Sequence, residues 1–308
     1  MKPRILAKSA VTVEQMTVKE NIGCDGIELQ LLEELVVNRS AGSFKKWTDI
    51  YSISDFSGHD IRVVHMPLLK GDSDFLLETM MITTDFYLLC EVVELAQAIA
   101  KQQRHTVGVV IHSESCYGKL VDEQIYDKVV DRFYGLLEAY PDVEFYIENV
   151  SPLRGSSSGE LVHFSNNFAF DNVELVKHLR EDLKSRRLYT CLDTCHAMLA
   201  EKYVNAIYAC APDLGKVDLC LERYFAENQE ICGLIHLADA RGCGYGRGKH
   251  GISFTPETAD TLYEILNAYN KYKYTCPITL EVAEDNYSVC DGYKQTKDLV
   301  NTFYQIQN

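Results

Sequence analysis

Six side chains able to ligate a metal, His65, His112, Glu148, Asp193, His236 and Glu281, recur along the chain at intervals of 47, 36, 45, 43 and 45 residues. Each closes a short apolar run, as in Ile61-Arg62-Val63-Val64-His65, Val107-Gly108-Val109-Val110-Ile111-His112 and Ile278-Thr279-Leu280-Glu281. A strand with its crossover helix and loops takes up about this length in a barrel of about 250 residues with insertions. The spacing therefore predicts a parallel (β/α)8 TIM barrel whose strands deliver these groups to one face. A lone histidine at a strand end is more often a hydrogen-bonded core residue than a ligand. Six groups in one shared register argue for a common site.

The stretches between these runs carry helical periodicity. From Asp85 to Lys101, apolar residues at 88, 89, 92, 93, 96, 99 and 100 fall on one helical face. Asp122–Tyr140, Asn172–Arg186, Ala197–Ala209, Leu219–Asn228, Pro256–Tyr269 and Asp291–Tyr304 are the corresponding helices further on. At the N-terminal end, Arg4–Ala7 reads as the first strand, Thr12–Asn21 as its helix with Gly23 as the stop, and Asp25–Leu29 as the second strand. Residues 30–56 are expected to hold helical material ending near Tyr51, around a surface turn at Asn38–Ser43. Glu28, at the end of the second strand, is either a partner for a ligand or a buried charge meeting a lysine. Two glycine-rich stretches, Ser151–Asn167 and Arg241–Gly251, are long for barrel connections and are expected to be mobile loops over the mouth. An open doubly wound sheet finds no support, since no dinucleotide-type glycine turn follows the first strand.

A chain of 308 residues, 46% of them hydrophobic, can bury the core of one large barrel, and no linker-like segment divides residues 1–308 into two domains. The net charge of −15 counts against nonspecific attraction to nucleic acid, although a few basic residues can still make a local anion site. Eleven scattered cysteines without an export signal read as reduced thiols in a cytoplasmic protein. No apolar run approaches the roughly 20 residues of a membrane span.

Mixed His/Asp/Glu donors with a position left for water suit a divalent metal, Zn²⁺ first, with Mn²⁺ or Mg²⁺ as alternatives. His59, His105, His163 and His178 lie away from strand ends and read as structural. Cys191 and Cys195 have no second cysteine pair at finger-like spacing and read as two packed thiols. Arg241, Arg247 and Lys249 lie in the second glycine-rich loop, where they either meet a substrate phosphate or are simply solvated.

The phrases His65-Met66-Pro67, His112-Ser113, Ile147-Glu148-Asn149, Cys191-Leu192-Asp193-Thr194-Cys195-His196-Ala197, Ile235-His236-Leu237-Ala238-Asp239 and Leu280-Glu281 resemble, in order, the signature segments of the endonuclease IV or AP-endonuclease 2 family. That family belongs to the xylose isomerase-like TIM barrels. The resemblance covers residues 25–285. It implies one metal on His65, His112 and Glu148, a second on Glu148, Asp193, His236 and Glu281, and Glu148 as the bridge. His196 and His250 match two ligands of the family's third zinc, but the matching aspartate is absent, because Gly248-Lys249 precedes His250. Leu68 replaces the aromatic residue with which the family probes DNA.

The expectation is a divalent-metal enzyme acting on a sugar-containing substrate, with Glu148 and Glu281 as catalytic groups. Hydrolysis of a phosphoester, including abasic-site DNA, ranks first. A sugar or sugar-phosphate isomerase or epimerase is the alternative, because Glu148, Asp193, His236 and Glu281 also match that branch's metal quartet. A barrel that binds metal without turnover is the third reading.

Overall fold

The computed structural model describes residues 2–68, 75–113, 123–150, 153–155, 161–164, 169–210, 221–241 and 249–307. Eight strands, β1 (Ile5–Ala10), β2 (Ile27–Gln30), β3 (Ile61–His65), β4 (Val107–Ser113), β5 (Val143–Asn149), β6 (Leu188–Asp193), β7 (Cys232–Leu237) and β8 (Ile278–Leu280), form a closed barrel. Every neighbouring pair is parallel, and β1 closes the ring on β8 with Ala7 opposite Leu280. Among the described residues, the helices of eight residues or more are α1 (Val13–Ile22), α2 (Phe86–Gln103), α3 (Glu123–Ala139), α4 (Ala169–Leu183), α5 (Thr194–Cys210), α6 (Leu221–Asn228), α7 (Ala259–Lys271) and α8 (Asp291–Ile306).

Local chemistry sets the element ends. The Thr12 hydroxyl accepts the Gln15 N–H at the start of α1, and Gly23 takes φ 92 at its end, where its N–H reaches the Glu20 carbonyl. The buried stripe of α2 is Leu88, Leu89, Val92, Val93, Ala96, Ile99 and Ala100, the one its periodicity predicts.

Alternation along the strands divides the core into two. Outward residues such as Ile5, Ala7, Val109, Ile147, Leu192 and Ile235 pack under the helices. Inward residues fill the lumen in two storeys. Leu6, Val63, Val110, Tyr146, Cys191 and Leu234 make one apolar cluster. Two residues further along the same strands stand Lys8, His65, His112, Glu148, Asp193 and His236. The strand period of two thus puts the polar set one layer above the apolar one, at the C-terminal rim.

Residues 30–56 differ from expectation. They contain no α-helix but three 3₁₀ turns, Glu33–Leu35, Trp47–Asp49 and Ile53–Phe56, and a hairpin pairing Val36–Asn38 with Ser43–Phe44. The Asn38 side chain accepts the Ala41 N–H, and Gly42 follows at φ 62, so local turn chemistry outweighs helix propagation here. In the two glycine-rich stretches the described parts are also hairpins, Leu153–Gly155 with Leu161–Phe164 and Asp239–Arg241 with Lys249–Ile252. The remaining residues of both, Arg247 among them, lie outside the described residues.

Candidate metal centre

Glu148 is the node of the upper storey. Its Oε2 lies 3.1 Å from His65 Nε2 and 3.3 Å from His112 Nε2, while its Oε1 lies 3.0 Å from His236 Nδ1. Its side chain is 1% exposed. Burial alone would raise the Glu148 carboxyl, but His236 and His112 beside it hold it well below the usual carboxylate range.

Asp193 ends β6 and starts α5, so its carboxylate has two tasks. Oδ1 accepts the His196 N–H at 2.8 Å, as a cap for α5, and Oδ2 is buried without a hydrogen-bond donor. Asn149 clamps this strand end through both atoms of its amide, donating to the Asp193 carbonyl at 3.0 Å and accepting the Asp193 N–H at 2.9 Å. Thr194 ties the same turn to β7 by donating to the His236 carbonyl at 3.0 Å.

His236 and Glu281 complete the quartet. His236 Nε2 donates to Glu28 Oε2 at 3.0 Å, which aims Nδ1 at Glu148 and, at 2.8 Å, at Glu281 Oε2. Burial depresses the His236 imidazole, yet the Cys191 sulfur and the carboxylates of Glu28, Glu148 and Glu281 reverse this and push it well above its ordinary value. Burial likewise opposes the Glu281 carboxylate, but Lys8 and His236 hold it well below its ordinary range.

Several features fit a divalent cation. Ligand atoms of Glu148, Asp193, His236 and Glu281 all lie within 4.8 Å of one another, as do those of His65, His112 and Glu148. His65 Nδ1 donates to the Met66 carbonyl at 2.8 Å, which orients the ring so that Nε2 faces the Glu148 carboxylate. An imidazole nitrogen and a carboxylate oxygen 3.1 Å apart are spaced as two ligands of one cation can be. Glu281 Oε2 and Asp193 Oδ2, both buried without a hydrogen-bond donor, fit the same ion, because the Nδ1 proton of His236 goes to Glu148 and that of His196, 3.3 Å from Oδ2, goes to the Asn149 carbonyl. The His236–Glu28 contact is the kind of outer hydrogen bond that orients a ligating imidazole.

The remaining expected residues fall into three groups. His196 donates from Nδ1 to the Asn149 carbonyl at 2.9 Å and gathers with His250 and Cys195 in a trio at the rim, ligand atoms again within 4.8 Å. Cys191 and Cys195 are both buried thiols, as expected, but each also borders a ligand cluster: Cys191 faces Glu148 and His236. Arg241 is exposed, 3.9 Å from Asp239, and is not part of the node; Lys249 stands in the strand beside His250. His59, His105 and His178 bond to Glu20, Gln103 and the Glu174 carbonyl, away from the node. Lys8 was not singled out by the sequence, although a lysine two residues after a buried leucine in a strand is the signal that could have found it. Glu28 meets both of its expected partners, a ligand and a lysine.

No family model matches this sequence, and no curated protein matches it. Solved structures do. A xylose isomerase domain protein from Planctomyces limnophilus aligns over 99% of this chain and 98% of its own at 12% identity and TM-score 0.62. The shared fold is a closed barrel of eight parallel strands ringed by helices. A 3-keto-D-glucoside 4-epimerase from E. coli matches over 98% and 100% at 11% identity and TM-score 0.55. The IOLI protein with a bound zinc atom matches over 97% and 99% at 15% identity and TM-score 0.57. Among the described residues, no helix is long and apolar enough to cross a membrane.

Proposed function

We propose that the protein is a divalent-metal-dependent enzyme that interconverts sugars or sugar phosphates by proton transfer, as an isomerase or epimerase. The observation that carries this is the convergence of Glu148, Asp193, His236 and Glu281 within 4.8 Å at the mouth of the barrel. Solved structures with the same fold, among them a 3-keto-D-glucoside 4-epimerase and a D-tagatose 3-epimerase-like protein, support it. This places proton transfer ahead of hydrolysis, the reverse of the order expected from sequence.

The quartet would hold the ion, with Zn²⁺ or Mn²⁺ suited to its three carboxylates and one imidazole. Bound there, the ion would polarise a sugar carbonyl and acidify the adjacent C–H. The chain supplies the rest. Glu281, with 21% of its side chain exposed, is the carboxylate open to the mouth and takes the proton. Glu148, at 1%, works from the buried side, and its two oxygens are fixed by three imidazoles. Lys8 at 2.7 Å keeps Glu281 ionised, and Asn149 and Thr194 hold the Asp193 turn in place. Arg241, Lys249 and Arg247 are the groups available for a substrate phosphate.

A second reading has its own observation. His65 and His112 converge on the Glu148 oxygen that does not face His236, so Glu148 can bridge two ions. Two ions would suit phosphoester hydrolysis, on a sugar phosphate or abasic-site DNA. Cys195, His196 and His250 would hold any third ion.

The discriminating experiment incubates Mn²⁺- or Zn²⁺-loaded protein with ketoses, aldoses and their phosphates in D₂O and follows carbon-bound hydrogen by NMR. Proton transfer gives deuterium incorporation next to the carbonyl. Absence of exchange from every sugar, together with incision of an abasic-site duplex, would overturn the first reading in favour of the second.

A further inference from the structure

On one side of the quartet, the oxygen atoms of Glu148 face imidazoles. On the other side, the face formed by Glu28 and Glu281 is closed by an ammonium. Lys8 Nζ lies 2.7 Å from Glu281 Oε1 and 3.5 Å from Glu28 Oε1, with 10% of its side chain exposed. The other oxygen of each carboxylate faces His236. Glu28 Oε2 accepts from His236 and from the Thr279 hydroxyl at 2.7 Å, and Glu281 Oε2 faces His236 Nδ1.

The Lys8 contacts are those of a point charge. Nζ stands between the two carboxylates and pairs with both by charge, and Glu28 Oε1 has no other donor. A compact positive charge between two carboxylates is what a metal ion makes there. Donor atoms of Glu28, His65 and His236 also lie within 4.8 Å of one another, so the same wall already has the ligands of a cation site.

We propose that the Lys8 ammonium is a built-in cation, filling on the Glu28–Glu281 face the position that a further divalent ion would otherwise take. The inference rests on the metal reading of the quartet. A covalently attached charge cannot exchange or be chelated, so this face stays closed at every metal concentration, while the quartet beside it remains open to an exchangeable ion. It also keeps one oxygen of Glu281 occupied, leaving the other turned toward the quartet.

The test counts ions. Wild type, Lys8→Ala, Lys8→Arg and the double variant Lys8→Ala/Glu28→Gln are loaded with Mn²⁺, desalted and analysed by metal mass spectrometry, with Mn²⁺ titrations followed by calorimetry. The expected result is one more Mn²⁺ per chain in Lys8→Ala than in wild type, with the wild-type count in Lys8→Arg and restored in the double variant. If Lys8→Ala folds only when Mn²⁺ is added, circular dichroism during the titration yields the same difference. A Lys8→Ala count equal to or below wild type, an extra ion that persists in the double variant, or a Lys8→Ala chain that folds at no Mn²⁺ concentration overturns the proposal. The count does not depend on turnover: a wild type that binds Mn²⁺ but exchanges no sugar hydrogen removes the isomerase reading alone. A wild type that binds no ion removes the metal reading and this inference with it.

Discussion

The two storeys of the barrel lumen are built by the same strands and separated by two residues, yet they obey opposite rules. In the lower one, Leu6, Val63, Val110, Tyr146, Cys191 and Leu234 fill space with apolar surface. The upper one, with Lys8, Glu28, His65, Glu148, Asp193 and His236, is almost as buried but is assembled from charges. Burying ions costs far more than burying methyl groups return, unless every charge is met. The difference teaches that the apolar storey fixes where the strands stand, and the polar storey spends some of that stability on a site.

The largest expected effect is on the polar storey. Glu148→Gln removes the charge that faces three imidazoles, so divalent-ion affinity should fall by more than about a hundredfold and sugar exchange should vanish, given that outer partners alone are worth about 10–100-fold. Calorimetric titration with Mn²⁺ checks this, and retained affinity would break the contrast between the storeys.

Gly108→Ala probes the lower storey instead. A β-carbon there would run into the Tyr146 ring, and overpacking of this kind costs about 3 kcal/mol. The metal-free variant should melt lower while its affinity for Mn²⁺, once folded, stays near wild type.

Titration of the metal-free protein sharpens the comparison further. Glu148 and Glu281 are depressed in the fold, so their stabilising contribution is present above the ordinary carboxylate value of 4.5 and is lost as pH falls. His236 is raised, so its contribution is complete below 6.5 and is lost as pH climbs through its folded value. Melting of the metal-free chain should therefore peak between pH 4.5 and 6.5 with respect to these groups. Saturating Mn²⁺ should remove the alkaline decline by displacing the Nδ1 proton. Melting temperatures that fell neither below pH 4.5 nor above pH 6.5 would contradict the charged storey.

The smallest effect expected is for Tyr146→Phe, which deletes the hydroxyl bond to Glu144 at 2.9 Å and should cost about 1 kcal/mol, measured by denaturant unfolding.

Much of this was legible in the sequence, for a reason tied to strand geometry. A buried parallel strand is a run of apolar residues, and a His, Asp or Glu at its end stands out against that run, as His65, His112, Glu148, Asp193 and His236 do. Glu281, one residue past β8, was found by the same pattern. Asn149 and Thr194 were visible only as parts of phrases, because a clamp between strand ends is a relation between residues 44 and 42 positions apart. Residues 30–56 misled because apolar periodicity there serves 3₁₀ turns and a hairpin, whose bonds depend on Asn38 and Gly42 rather than on a helical face.

What the sequence determined by itself was the number and order of the strands and the identity of the groups at their ends, since both follow from patterns within single segments. Only the tertiary structure decided which groups meet: that Glu148 divides its oxygens between two sets of histidines, that Cys195 joins His196 and His250, and that Lys8 from the first strand closes onto Glu281 beyond the last. Closure of the ring brings β1 against β8, and no local pattern records the neighbour that closure provides.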